Sequence, residues 1–589
     1  MNMTWDLDIM YKGYDDPKYL NDLEKLKNVI ASLNKFWEEK MVDDSIQVIE
    51  KELQLEENLQ ALVLELYTYS SLKASCDVND LKAVEEITKL NIMLQGTVAP
   101  AVAFKKYLKT VDLISLKEKS KMIETYMFYL SNLKEEANHM LSDKEEVLES
   151  KLRLVGSNAW SDLQSQLTSN LMIKVDGQGV MPLSAVRNLA YSDLKEVRYN
   201  AYKAELASYK QIEASVASAL NNIKREVNIM MELRGYDNAL EKTLKQSNMS
   251  KATLDAMIGA IKEELPRLRE YFKIKAEALG HKNGLPFYEL FAPMGHLTKT
   301  YTFDEAKMAV LDVYKSFSEP LYEMGKRAFD NRWIDVLPRE GKVGGAFCAG
   351  LDNHVESRVL TNFTGSLGDV QTLAHELGHA YHGQVIQENA PLNRAYPMPL
   401  AETASILCQT LMAKKMFNDI SSDEMKLTII EQSLEEDTQC IVDILSRFLF
   451  EEKVLSTPIE KPLSSDDLCK MMTDAQKESY GDALDYNFGH PYMWICKSHY
   501  YSADLNYYNW PYAFGELYGK GLYKEYLKDK KAFVENYDQM LKNTGMMSVE
   551  DVTKTMGIDV TKKEFWLEAL KSVEEDIEIF KELILKCNK

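Results

Sequence analysis

The chain offers little from which to build a disulfide framework. Its seven cysteines (Cys76, Cys348, Cys408, Cys440, Cys469, Cys496 and Cys587) are odd in number, widely spread and free of any C-x-x-C pair. This spacing excludes a thiol-only structural zinc site and fits reduced thiols in a reducing compartment. No apolar run approaches the roughly 18 residues of a spanning helix, so no membrane partner is expected. The opening residues, Met1-Asn2-Met3-Thr4-Trp5-Asp6-Leu7-Asp8, lack a basic start followed by an apolar core, so no secretory signal is expected. Positive charge is short as well: 70 Lys and Arg stand against 91 Asp and Glu, a formal net charge of −21. Nucleic-acid binding needs clustered cations, and this balance argues against it. No Pro/Ser-rich linker, low-complexity tract or internal repeat divides the chain. The Gly177-Gln178-Gly179 and Gly515–Gly521 segments lack the residue order of a phosphate loop. These absences leave a soluble, cytoplasmic protein as the expectation.

What is present is helical periodicity. Leu23, Leu26, Val29, Ile30, Leu33 and Phe36 recur at three- and four-residue steps, as do Leu55, Leu59, Leu62, Val63 and Leu66. Leu254, Met257, Ile258, Ile261 and Leu265 repeat the pattern, with Pro266 leaving the end of that helix open. Phe565, Leu567, Leu570, Val573 and Ile577 predict a further helix near the C-terminus. Strands are expected at a hairpin over Ile173–Gln178, where Asp176-Gly177 supplies the turn, and within Gly344–Phe363. A strand edge in the latter region could hold an extended peptide through main-chain hydrogen bonds. At 589 residues the chain exceeds one hydrophobic core. The division expected is an N-terminal helical lobe over 1–190 and a catalytic region over 191–589.

Histidine is scarce, nine in all, yet two stand in His375-Glu376-Leu377-Gly378-His379, the single H-E-x-x-H of the chain. Residues four apart on a helix share a face about 5.4 Å apart along the axis. Two imidazoles so placed can reach one zinc ion at about 2.0–2.1 Å each. Glu376 is then left to contact a metal-bound water, the minimum apparatus for amide hydrolysis. A third protein ligand is required. The metzincin order would place Gly seven and His ten residues after His375, where this chain has His382 and Val385. His382 lies about 10.5 Å along the helix from His375, too far to share an ion, and is read as a supporting or surface residue. Glu402, early in a helix after Pro397 and Pro399, is the leading third ligand, with Glu388 as its rival. Asp369 could orient a ligand imidazole or cap the helix.

Leu360-Thr361-Asn362-Phe363-Thr364-Gly365, the run Asp369–Ala380 around the motif and Glu402-Thr403-Ala404-Ser405 closely resemble the oligoendopeptidase F group of the thimet oligopeptidase-like zinc metallopeptidases. Trp5-Asp6-Leu7 with Tyr14-Asp15-Asp16-Pro17, Glu196-Val197-Arg198 with Ala201-Tyr202, and Arg234-Gly235-Tyr236 extend the resemblance over most of the chain. It implies a mainly α, two-lobed, clam-like molecule with a deep central channel and a small β-sheet near the motif helix. It further implies one Zn²⁺ per chain held by His375, His379 and Glu402, with Glu376 as general base. Short peptides are the implied substrates, cleaved at internal bonds.

The same resemblance points to His499-Tyr500-Tyr501 and Asn506–Tyr512 as a His/Tyr cluster that steadies the oxyanion and grips the substrate backbone. His499 and Tyr508 are the favoured pair, with Tyr501 and Tyr512 as substitutes. Ser502 and Ala503 replace the Gly-Gly pair that precedes the tyrosines in the thimet oligopeptidase form. A helical H-E-x-x-H metallocarboxypeptidase is the competing enzyme reading. A non-catalytic peptide binder is the remaining one, and the intact Glu376 speaks against it.

Overall fold

The computed structural model describes residues 3–39, 44–295 and 300–587; Met1 and Asn2 of the opening stretch lie outside the described residues. The mainly α architecture expected from the periodicity is present throughout. The helix Pro17–Glu39 buries Leu23, Leu26 and Leu33. The helix Ser45–Cys76 begins at Asp44, whose side chain accepts from the Ile46 N–H, and it buries Leu53, Leu55 and Leu66. Both stripes meet a core in which Tyr11, Tyr19 and Tyr69 pack edge to face or tilted. The helix Lys251–Ala278 passes through Pro266 without ending there. Pro266 is exposed, so the carbonyl it leaves unpaired can be hydrated. This helix packs against Lys563–Cys587, which buries Trp566, Leu570, Val573 and Ile577.

Strand structure is confined to two small sheets. β1 (Met172–Val175) and β2 (Gly179–Pro182) form the expected antiparallel hairpin, turned at Gly177 with φ +78°. β3 (Ile334–Asp335), β4 (Phe347–Leu351) and β5 (Glu356–Leu360) form the second, in the order β3-β5-β4. β4 and β5 are antiparallel, with Phe347 opposite Leu360 and Leu351 opposite Glu356, while β3 runs parallel to β5. β4 is therefore an edge strand, and it packs beside the helix that carries the H-E-x-x-H motif. The two-residue β3 is too short for alternation to reveal it.

The chain forms two compact units, each assembled from segments distant in sequence. One comprises Met1–Met140, Lys299–Met412 and Lys528–Gly557; the other comprises Leu141–Thr298, Ala413–Leu527 and Ile558–Lys589. The linear boundary placed at residue 190 falls inside the second unit, because each core is completed by helices that return late in the chain. No helix among the described residues is long and apolar enough to cross a membrane.

Candidate metal centre

The motif helix, Leu367–Ile386, begins with a capping box. Ser366 accepts from the Asp369 N–H, and the Asp369 carboxylate accepts from the N–H groups of Thr364, Gly365 and Ser366. Asp369 thus helps fix the helix start, as the N3 partner of a capping box whose N-cap is Ser366 and not as the N-cap itself. From that start the four-residue spacing puts His375 and His379 on one face, ring centroids 4.9 Å apart.

Glu402 stands at a joint, between the one-turn helix Met398–Ala401 and the helix Thr403–Asp419, with φ −86° and ψ 4°. Its Oε2 lies 3.3 Å from His375 Nε2 and 3.3 Å from His379 Nε2. Ser405 donates to the same oxygen at 2.7 Å. His375 Nδ1–H donates to Gln409 Oε1 at 2.7 Å, which leaves the Nε2 lone pair for the cluster. Gln409 follows Glu402 by seven residues, two helical turns, so both side chains rise from one face. Gly378 makes the approach of the two helices possible: a Cβ there would sit 2.7 Å from the Ser405 Cα and 2.8 Å from the Ala404 carbonyl oxygen. Buried Tyr314 donates to the Ala374 carbonyl at 2.7 Å, tying the motif helix to its neighbour Phe303–Phe317.

The donor set suits zinc. Ligands about 2.0–2.1 Å from a tetrahedral ion stand about 3.3–3.4 Å apart, the separation Glu402 keeps from both imidazoles. All three side chains offer ligand atoms within 4.8 Å of one another and remain about one-fifth exposed. The charges of the cluster are strongly coupled. Burial opposes charge on His375, but the Glu402 hydrogen bond and the charges of Glu402 and Glu376 push its pKa up to about 9. Burial likewise works against the Glu402 carboxylate, yet the two imidazoles hold it far below the usual range. Glu376 is buried, and that burial raises its pKa against the opposing pull of His375 and His379. On β4, the half-buried Cys348 thiol is raised by desolvation and by the Glu376 charge, so it stays neutral.

Two of the candidate acids and bases fall elsewhere. Glu388 is exposed and paired with Lys542 at 2.7 Å. His382 is fully buried rather than at the surface. Its Nε2 meets Thr544 Oγ1 at 2.9 Å, its ring stacks on Tyr396 at 4.2 Å, and burial lowers its pKa to about 3.

His499, Tyr508 and Tyr512 belong to the second compact unit, whereas His375, Glu376, His379 and Glu402 belong to the first. His499 lies in the 3₁₀ turn Ser498–Tyr501, with its ring 6.0 Å from that of Tyr508 at an interplanar angle of 23°. Tyr512 O–H donates to the Tyr508 oxygen at 3.0 Å. Tyr501 is fully buried and donates to the Trp494 carbonyl, so it is committed to the fold and drops out as a substitute. Burial, with Arg447, Lys497 and Lys224 nearby, lowers the His499 pKa to about 3 and keeps the imidazole neutral. Its Nε2 is buried without a hydrogen-bond partner among the described residues.

Helical scaffold and His/His/Glu cluster together define a metallopeptidase. More particularly, the chain belongs to peptidase family M3, whose profile matches residues 188–572; an oligopeptidase F profile matches 110–172. That membership makes it a metalloendopeptidase. It is 25% identical to oligopeptidase PepF of Bacillus subtilis over 99% of this chain and 87% of that protein. An oligoendopeptidase F homolog of Lactococcus lactis is 24% identical, over 99% of this chain and 98% of that one. The fold matches the crystal structure of oligoendopeptidase-F from Enterococcus faecium with a TM-score of 0.72 at 18% identity, covering 96% of this chain and 99% of that one.

Proposed function

We propose that the chain is a zinc-dependent oligoendopeptidase that cleaves internal bonds of short peptides, with one Zn²⁺ held by His375, His379 and Glu402. The observation that carries this reading is the equal 3.3 Å spacing of Glu402 from both imidazoles. When bound, zinc supplies Lewis acidity, making water nucleophilic near neutral pH and polarising the scissile carbonyl. Glu376 accepts the proton of the attacking water and passes it to the leaving amine; its raised pKa suits a carboxyl that must do both. His499 and Tyr508 are the candidate oxyanion donors that the family resemblance implies, and a neutral His499 with an unsatisfied Nε2 supports that role. The free edge of β4 beside the motif helix accepts the substrate as an added strand. The reach of the M3 profile over residues 188–572 supports a catalytic region beginning near residue 191. Seven free thiols support a cytoplasmic setting.

The test is a quenched peptide blocked at both ends. Cleavage should stop on zinc removal by a chelator and return with added zinc, with mass spectrometry locating the cut at an internal bond. Cleavage that persists without metal, or product lost only from an unblocked C-terminus, would overturn the proposal.

A further inference from the structure

The hairpin that presents β4 is anchored at its tip. Residues 352–355 turn β4 into β5, and the His354 N–H donates to the Leu351 carbonyl at 2.8 Å. Val355 closes the turn with φ +53°, a left-handed angle that β-branched side chains rarely take. Val355 is exposed, so packing of its own side chain does not impose that angle. The tip is held instead by the helix Ser45–Cys76. Asn353 Nδ2 donates to the Ala61 carbonyl at 2.9 Å and to Glu65 Oε2 at 3.0 Å. His354 Nε2–H donates to Glu65 Oε1 at 2.8 Å. Ala61 and Glu65 are one turn apart, on one face of that helix.

Glu65 is only 6% exposed. Lys18 donates to its Oε1 at 2.7 Å and to the Met10 carbonyl at 3.0 Å, which ties the same carboxylate to the N-terminal segment. Burial opposes the Glu65 charge, yet His354, Lys18 and Asn353 hold its pKa down at about 2. A buried carboxylate met by three side chains, two of them from one loop, is a fixed anchor and not a solvated surface charge. β4 itself is bonded only to β5 among the described residues, and it packs beside the motif helix. The ladder to β5 sets the pairing of the two strands, whereas the anchored tip sets where the pair lies. All of these residues belong to the compact unit that holds the His/His/Glu cluster.

We propose that Glu65 is a positioning residue for peptide binding: through Asn353 and His354 it holds the free edge of β4 where a substrate strand is received beside the motif helix. The proposal rests on the strand-addition reading above and assigns that edge a support 289 positions upstream of His354.

The experiment measures kcat and KM on the full-length zinc enzyme with a quenched peptide blocked at both ends. The peptide is used plain and with one backbone N-methyl group, placed in turn at each amide other than the scissile one. In the wild-type enzyme at least one N-methyl peptide should show KM raised roughly 10-fold, as for a lost main-chain hydrogen bond. Glu65→Ala should raise KM for the plain peptide roughly 10-fold with kcat and zinc content kept, and N-methylation should then add little. Glu65→Gln, which keeps an acceptor oxygen, should hold KM within about 3-fold of wild type. The double variant Asn353→Ala/His354→Ala removes the same contacts from the loop side while Lys18 still pairs with Glu65, so it tests the role even if Glu65→Ala fails to fold. Wild-type KM in that double variant, or kcat and zinc content that fall at unchanged KM, would overturn the positioning role. Wild-type sensitivity to N-methylation would then leave the strand reading standing. A wild-type enzyme that cleaves every N-methyl peptide at unchanged KM would overturn both.

Discussion

The two regions implicated in chemistry are built on opposite plans. In the metal cluster every ligand is met from within the fold: His375 by Gln409, Glu402 by Ser405 and both imidazoles. In the aromatic region the buried polar atoms His499 Nε2, Arg447 Nε, Asn509 Nδ2 and Tyr500 Oη have no hydrogen-bond partner among the described residues. Buried donors without acceptors are rare in folded proteins because each forfeits its hydration. The first is a preassembled His/His/Glu cluster, and the second is a set of buried donors without partners.

That contrast can be broken by mutation. The largest effect is expected for Glu376→Gln, which should lower kcat by roughly 10²–10⁴-fold while elemental analysis still finds one zinc per chain. Near wild-type turnover would show that the first region is not the reaction centre. Next, His499→Ala or Tyr508→Phe should lower kcat by roughly 10²–10³-fold with zinc content unchanged, as for loss of one oxyanion donor. A loss confined to Tyr512→Phe would transfer the donor role to that phenol, and unchanged kcat in all three variants would reduce the region to packing. The smallest effect belongs to Gln409→Leu, which frees the His375 ring: zinc affinity, measured by chelator competition, should fall roughly 10- to 100-fold while the zinc-saturated enzyme keeps most of its kcat. Unchanged affinity would mean that the ring is oriented by packing alone.

What could be read from the sequence was what lies close along the chain. The His375/His379 pair follows from helical geometry alone, and the hairpin at Gly177 follows from local turn chemistry. Glu402 needed the resemblance to a family, since a carboxylate at the joint of two helices has no periodicity to mark it. Gln409 was legible in principle, seven residues beyond Glu402 on the same helix face, but only once Glu402 was fixed. The rest depends on partners that arrive from elsewhere. Tyr314 reaches the motif helix from 60 residues upstream, and Thr544 meets His382 from 162 residues downstream. Burial of His382 and Tyr501 is decided in the same way, which is why the sequence left the one as either a supporting or a surface residue and the other open as a substitute donor. The interleaved compact units are the large-scale form of this limit.

The bare α-carbon at position 378 gives the middle of H-E-x-x-H a role that ligand chemistry does not assign to it. A methyl group there would act as a wedge and drive the backbone at 404–405 outward, carrying the carboxylate two to three residues earlier away from the imidazoles. Drift at the nominally variable position between the histidines is therefore limited by interhelical clearance, and the coordination sphere inherits its dimensions from an atom that is not there.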